Sequence, residues 1–408
     1  MHVREPNRPV SLVALLLTAV VTGAFAGAVG GGFIWVVEEG IGFLWSDLPD
    51  KFGVGPFDSW WLFAVPIVGG ALVGIGQRVL GNYPRPIEEA MATWRAGGHI
   101  EPIVAPKTFV NSVLSLTFGG PVGFEAALTG LLGGTATWIN SRIAGVGRFV
   151  RQAWGAERID SLPKTMHHLP YWLAAVSGLV AYHSLPFGRI DLSFRFTDFD
   201  GHIDLVDAIA MFTFGALVVV PAAWALVVVG RAEQATFFSR SPILIGMAGG
   251  AVFALLALPN SLVLFSGQQG IQLLPETGNG DLIYIVVAKW LALVVALYAG
   301  WRGGPIFPTY TAVAALGVLA DEVVDIGPDL LMISGIAAVG VVFLKGSLPM
   351  AFVLTLYPVH LSYASVILVG CLGGAVGLAI ARSAGILPLT EADSAASQVE
   401  SAGSSGDG

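Results

Sequence analysis

A single cysteine, Cys371, occurs among 408 residues, which excludes a disulfide framework and any thiolate metal cluster. Set in an apolar run, it reads as a small packed hydrophobe. Charge is equally scarce: Asp, Glu, Lys and Arg make up 12% of the chain, against roughly 25% in an ordinary soluble domain. With 55% hydrophobic residues and a mean hydropathy of +0.75, the composition excludes a soluble globular fold and defines a polytopic membrane protein. The net charge of −8 lies largely in the polar segments and the C-terminal stretch, and implies no nucleic-acid partner. No G-x-S-x-G turn, H-E-x-x-H sequence or metal-ligand spacing occurs. No metal or other cofactor is therefore expected, and no enzyme activity.

What the chain does contain is apolar length. Segments 11–38, 59–79, 204–231, 242–264, 282–301 and 363–382 each reach bilayer length, which takes about 20 apolar residues. Pieces 103–118, 124–139, 169–187, 305–319, 330–345 and 348–359 are short or broken by Gly, Pro or a charge. Such pieces are predicted to be helices that stop part way across. Arg4 and Arg8 precede a first run too long for a leader, so a retained first helix with a cytoplasmic start is expected. Segment 140–167, with Arg142, Arg148, Arg151, Arg158 and Lys164, is the most basic loop and is placed on the same side. Residues 391–408 are rich in Ser, Gly and acids and read as a disordered tail, with no soluble regulatory domain appended. Trp60, Trp61, Trp138 and Trp172 are expected in interfacial belts.

Within this background the segment 119–130, GGPVGFEAALTG, places one carboxylate, Glu125, at membrane depth. Ionisable groups there are costly and mark ion or proton pathways. A related loop, GGPIFPTYTAVAALG, opens at residue 303. Lys107 precedes the first GGP and Lys289 the second, and an SLP tripeptide follows each, at 184–186 and 347–349. The order Lys, GGP, SLP thus occurs twice, which points to an internal repeat with a binding site at the repeat interface. A helix that starts inside the membrane carries unpaired N–H groups and a partial positive charge at its first turn. Several such ends make an anion site without a full cation. The loop from Gly81 to Pro86 is a third candidate of this kind. Glycines such as Gly23-x-x-x-Gly27 carry the plainer meaning of close helix packing. Lys107 and Lys289 are expected to extend to the membrane interface rather than line a pathway.

Taken together these motifs resemble the CLC chloride channels and transporters over about residues 10–390. Gly123-Phe124-Glu125-Ala126-Ala127 is similar to the family's G-R-E-G-P, Gly304-Pro305-Ile306-Phe307-Pro308 to its G-x-F-x-P, and Gly81-Asn82-Tyr83-Pro84-Arg85 stands where its G-S-G-I-P would be. The resemblance implies an all-α membrane domain of two inverted-topology repeats with broken and re-entrant helices. The N-terminus would then be 1–10, the transmembrane domain 11–390 (repeats about 11–232 and 240–390) and the tail 391–408. It further implies a homodimer in a bacterial inner membrane, surrounded by lipid, each subunit with its own anion pathway. Glu125 would be the gate; Gly123, Phe124, Ile306 and Phe307 would supply anion-binding backbone, Asn82 would replace a coordinating serine, and Thr390 would stand in for the family's inner tyrosine.

The departures from the motif set the expected mechanism. Phe124 replaces an arginine, which weakens the positive field. The family's inner proton-relay acid would fall at Phe194 or Arg195, so Asp191, His183 and Asp198 are the nearest candidates to replace it. These losses favour an uncoupled or weakly proton-coupled chloride pathway. A proton-coupled antiporter for chloride, fluoride or nitrate is the alternative, and an intramembrane hydrolase using Ser184 beside His183 a remote one.

Overall fold

The computed structural model describes residues 12–57, 59–97, 99–143, 169–184, 194, 196, 199, 201–234 and 241–387. Among them there are fourteen α-helices and no strand. In chain order these are α1 Leu12–Gly42, α2 Leu48–Phe52, α3 Ser59–Leu80, α4 Ile87–Gly97, α5 Val104–Thr117, α6 Glu125–Ile143 and α7 Leu169–Ser184. They continue as α8 Leu205–Gln234, α9 Pro242–Ala257, α10 Asn279–Tyr298, α11 Ile306–Val324, α12 Pro328–Phe343, α13 Leu348–Leu356 and α14 Ala364–Ser383. Among the described residues six stretches are long and apolar enough to cross a membrane: Leu16–Phe52, Trp60–Leu80, Leu205–Ala232, Asn279–Tyr298, Ile306–Val324 and Leu361–Ser383. The chain is an integral membrane protein.

Two of the expected spans change character. The run 242–264 is not one span: α9 ends at Ala257, just before Pro259, which lacks the N–H needed to continue it. A 3-10 turn, Ser261–Val263, follows, and the Asn260 side chain accepts its first bond from the Leu262 N–H at 3.0 Å. Conversely, 305–319 was expected to be interrupted, yet α11 runs on to Val324 for 19 residues. Its prolines lie at the helix start, where a missing N–H costs nothing.

The chain forms two compact units. The first comprises 1–191, 238–251 and 299–304. Here α1 packs along α7, and the glycines of the Gly23-x-x-x-Gly27 pair set the approach. A Cβ added at Gly27 would stand 2.0 Å from the Gly178 carbonyl oxygen, and one at Gly23 the same distance from that of Ala174. Backbones this close are the purpose of small residues in membrane helices. Gly27→Leu is expected to destabilise the protein by about 1–3 kcal/mol, the usual cost of overpacking, read as a lower melting temperature in detergent. Trp60, Trp138 and Trp172 are 53%, 44% and 62% exposed, whereas Trp61 is only 6% exposed. Trp61 turns inward because adjacent helical positions point in different directions, and its Nε1–H donates to the Leu44 carbonyl at 3.0 Å.

The second unit comprises 192–237, 252–298 and 305–408. Its core is α12, apolar all round and enclosed by α8, α11 and α14. Every residue from Leu331 to Val341 is buried, as a helix without a polar face requires. Cys371 lies in this core. Lys289, on α10, corrects the expectation of an interfacial lysine: it is 0% exposed. Its ammonium donates to the carbonyls of Leu262, Val263, Leu264 and Phe265 at 2.9, 3.2, 2.8 and 2.9 Å. The broken segment after α9 leaves these carbonyls without a helical partner, and the lysine supplies one.

Candidate functional site

The GGP loop begins where α5 ends. Gly119 has φ +88°, a conformation that suits glycine, and it closes the helix. The N–H of Gly119 donates to Leu116 and that of Gly120 to Ser115, at 3.4 and 3.0 Å. This is the paired capping of a Schellman turn. The chain then reaches Gly123, which exchanges two backbone hydrogen bonds with Gly304, each 2.7 Å, as an isolated antiparallel bridge. The two GGP loops of the sequence therefore meet, residue against residue, inside the first unit.

Glu125 opens α6 immediately beyond this bridge, half-buried like Phe124. Its side chain folds back onto both glycines. A Cβ on Gly123 would lie 2.0 Å from Glu125 Oε2, and one on Gly304 would lie 2.3 Å from both Oε1 and Cδ. The carboxylate thus occupies space that only two glycines leave open, at the amino end of a helix, where a negative charge is favoured. Behind it, Gly303 packs on Val122, and Gly120 packs on the Trp301 ring. The Trp301 indole N–H donates to the Gly246 carbonyl at 3.1 Å.

Because the three nearest atoms all belong to the flexible Glu125 side chain, Gly304→Ala is expected to displace the carboxylate rather than unfold the loop. If the seat serves gating, anion efflux from liposomes at neutral pH rises severalfold in Gly304→Ala, while the melting temperature changes little.

The same unit holds the Gly81 loop. Asn111 Nδ2 donates to the carbonyls of Gly81 and Tyr83, at 3.0 and 3.1 Å. Gln77 Nε2 reaches the carbonyls of Gly300 and Tyr83, at 3.1 and 3.5 Å. Lys107 and Arg85 stand 5.3 and 5.5 Å from the centre of the Tyr83 ring, within cation–π range. Two side-chain amides and two cations therefore fix the loop on which Asn82 is carried, itself exposed.

In the second unit, Ile306 and Phe307 form the first turn of α11, whose N-cap residue is Pro305. They follow Gly304 by two and three residues. The Phe307 ring packs against Tyr310 and Phe194, with centroids 6.1 and 6.4 Å away. Phe194, where the family's relay acid would fall, is 1% exposed, and its N–H donates to the Pro358 carbonyl at 2.7 Å. Asp191, Asp198 and Thr390 lie outside the described residues. His183 sits at the exposed end of α7, its ring 5.1 Å from that of Tyr182. Ser184 is the next residue and is exposed too, and adjacent helical side chains diverge rather than face each other. Arg302, 2% exposed, was not singled out from the sequence, although a charge within the apolar run that leads into the second GGP loop signals it. Its backbone N–H donates to Ser115 Oγ at 3.1 Å.

This architecture has solved counterparts. A slow cyanobacterial Cl−/H+ antiporter superposes with a TM-score of 0.72 at 16% identity, covering 92% of this chain and 95% of its own. A CLC-type fluoride/proton antiporter gives 0.68 at 18% identity, covering 91% and 96%. A eukaryotic CLC transporter gives 0.64 at 16%, covering 90% and 73%. The class that the fold defines is therefore that of integral membrane proteins with the CLC architecture. In sequence, the chain is 24% identical over 329 residues to YfeO of Escherichia fergusonii, whose name proposes an ion-transport role, across 71% of this chain and 75% of that protein. YfeO of Shigella flexneri matches to the same extent. No family model matches the sequence.

Proposed function

We propose that the chain carries chloride or a similar small anion across the membrane through a CLC-type pathway gated by Glu125. The observation that supports this is the seat of the Glu125 carboxylate on the Gly123–Gly304 bridge. A carboxylate held at a helix start occupies the kind of place that an anion would take. It therefore competes with the anion when ionised and yields when protonated or displaced. In the first unit the first turn of α6 supplies partial positive charge through Gly123 and Phe124; Ile306 and Phe307 are the backbone donors proposed for the second GGP loop. Asn82 is the proposed side-chain donor, and assembly as a homodimer belongs to the same proposal. Phe194 in place of an acid supports an uncoupled or weakly coupled pathway.

The test is efflux of chloride, fluoride and nitrate from protein-loaded liposomes after addition of a potassium ionophore. Efflux of at least one anion well above protein-free liposomes is expected. Absence of efflux for all three contradicts the proposal. Proton-coupled antiport is the second reading, and the retained carboxylate of Glu125 favours it.

A further inference from the structure

Helix α5 carries a polar stripe turned inward. Thr108, Asn111, Ser112 and Ser115 recur at spacings of three, four and seven residues, hence on one face. They are 0%, 1%, 0% and 0% exposed. A buried polar face inside a membrane protein is costly unless its atoms find partners. Asn111 Nδ2 has its two loop carbonyls, and Ser115 Oγ accepts from the Arg302 N–H. The remaining atoms are different. Thr108 Oγ1, Asn111 Oδ1, Ser112 Oγ and, from α3, Gln77 Oε1 have no hydrogen-bond partner among the described residues. Gln77 is 7% exposed, and Asn111 Oδ1 stands 2.4 Å from where a Cβ would lie on the neighbouring Gly76.

The stripe leads toward Glu125. Thr108 packs on Gly130 and Ala105 on Gly134, so α5 and α6 run antiparallel. The start of α6 accordingly lies level with the Ser112–Ser115 end, about 10 Å along the axis from Thr108 at 1.5 Å per residue. At that end Ser115 holds Arg302, two residues before the Gly304 on which the Glu125 carboxylate rests.

We infer that the Thr108, Asn111, Ser112 and Ser115 face of α5, with Gln77, lines a hydrated seam that delivers protons to Glu125. Hydroxyl and amide oxygens of this kind are what buried water bonds to, given two to four polar partners. The amide N–H groups are already committed to carbonyls, so the seam presents acceptors and hydroxyls, which suit a chain of water rather than an anion. Lys107 and Arg302 flank it and oppose a metal cation. Among the described residues of the first unit, the charged side chains that are not exposed are Glu38, Lys107, Glu125 and Arg302. Along such a chain each hop breaks one O–H bond and forms the next. One proton enters from the aqueous side and one arrives on the carboxylate. The inference rests on the reading of Glu125 as the gate, and it holds whether or not transport is coupled, because an uncoupled gate must also be protonated.

Two measurements test it. In a Cys371→Ala background, single cysteines at Thr108 and Ser112 are expected to react with a small water-soluble methanethiosulfonate, whereas Val339→Cys, 0% exposed in the apolar core of α12, stays unmodified. In liposomes, Thr108→Val with Ser112→Ala is expected to keep anion efflux under strong acid from both sides. Its activation by acid from one side, and any accompanying proton uptake, should fall by at least about tenfold, since a positioned proton-transfer group contributes about 10²–10⁴-fold. Thr108→Ser with Ser112→Thr, which keeps both hydroxyls, should restore them. Unreactive thiols at 108 and 112 overturn the inference while leaving the anion pathway standing. An unchanged one-sided acid response in the double variant overturns it as well. No anion efflux from the unmodified protein overturns the functional reading instead, and with it the role given to the seam.

Discussion

Glu125→Gln is expected to raise anion efflux at neutral pH about tenfold and to flatten its dependence on pH, a change equivalent to ~1.4 kcal/mol in gate occupancy. The reason is the seat of the carboxylate. Both oxygens lie against Gly123 and Gly304 at the first turn of α6. In that position an ionised side chain is held by the same partial positive charge that would hold an anion. Glutamine has the same shape without the charge, so it loses the attraction at every pH. On the proposed gate, acid neutralises the carboxylate of the unmodified protein and efflux is expected to rise as pH falls, whereas the variant starts in the released state and has nothing left to titrate. Efflux from liposomes at pH 4.5 and 7.5 compares the two. An unchanged pH dependence in Glu125→Gln argues against the gate.

Lys289→Met is expected to lower stability by about 3 kcal/mol or more, since each buried carbonyl left without a partner costs ~1–3 kcal/mol. Four carbonyls, those of Leu262 to Phe265, converge on this ammonium. Methionine fills a similar volume but donates nothing. Removing a buried charge recovers its desolvation cost, which reduces the loss without cancelling it, because the carbonyls remain where the broken segment puts them. The same segment touches α11: a Cβ on Gly267 would lie 2.3 Å from Thr311 Oγ1. Thr311 Oγ1 in turn donates to the Phe307 carbonyl at 3.1 Å, in the first turn of that helix. Thermal unfolding in detergent measures the loss. A melting temperature for Lys289→Met equal to that of the unmodified protein contradicts the bracing role.

Much of this architecture was legible in the order of the residues because glycine and proline punctuate it. The pieces 103–118 and 124–139 correspond to α5 and α6, and 348–359 contains α13, each bounded by a Gly- or Pro-bearing turn. Glu125 stood out for a physical reason, an acid with no neighbouring charge in an apolar stretch. What could not be read was pairing between distant segments. The two GGP loops were recognisably alike, but nothing local states that Gly123 and Gly304 exchange hydrogen bonds. Lys289 was sent to the interface because a lysine in an apolar helix usually extends there. Its carbonyl partners come from a segment about 25 residues earlier that was expected to be a continuous span and so to have no carbonyls to spare. The polar stripe of α5 has a helical period in plain view, yet a stripe of that kind reads as an outward face until the helix is known to be enclosed. Arg302 passed unnoticed beside a glycine motif that drew the attention.

Chloride binding to the purified protein, followed by calorimetry as a function of pH, tests the competition at Glu125 most directly. The affinity of the unmodified protein should rise as pH falls, and that of Glu125→Gln should be high and independent of pH. Equal affinities for the two proteins at neutral pH would mean that the carboxylate on Gly123 and Gly304 does not occupy an anion's place.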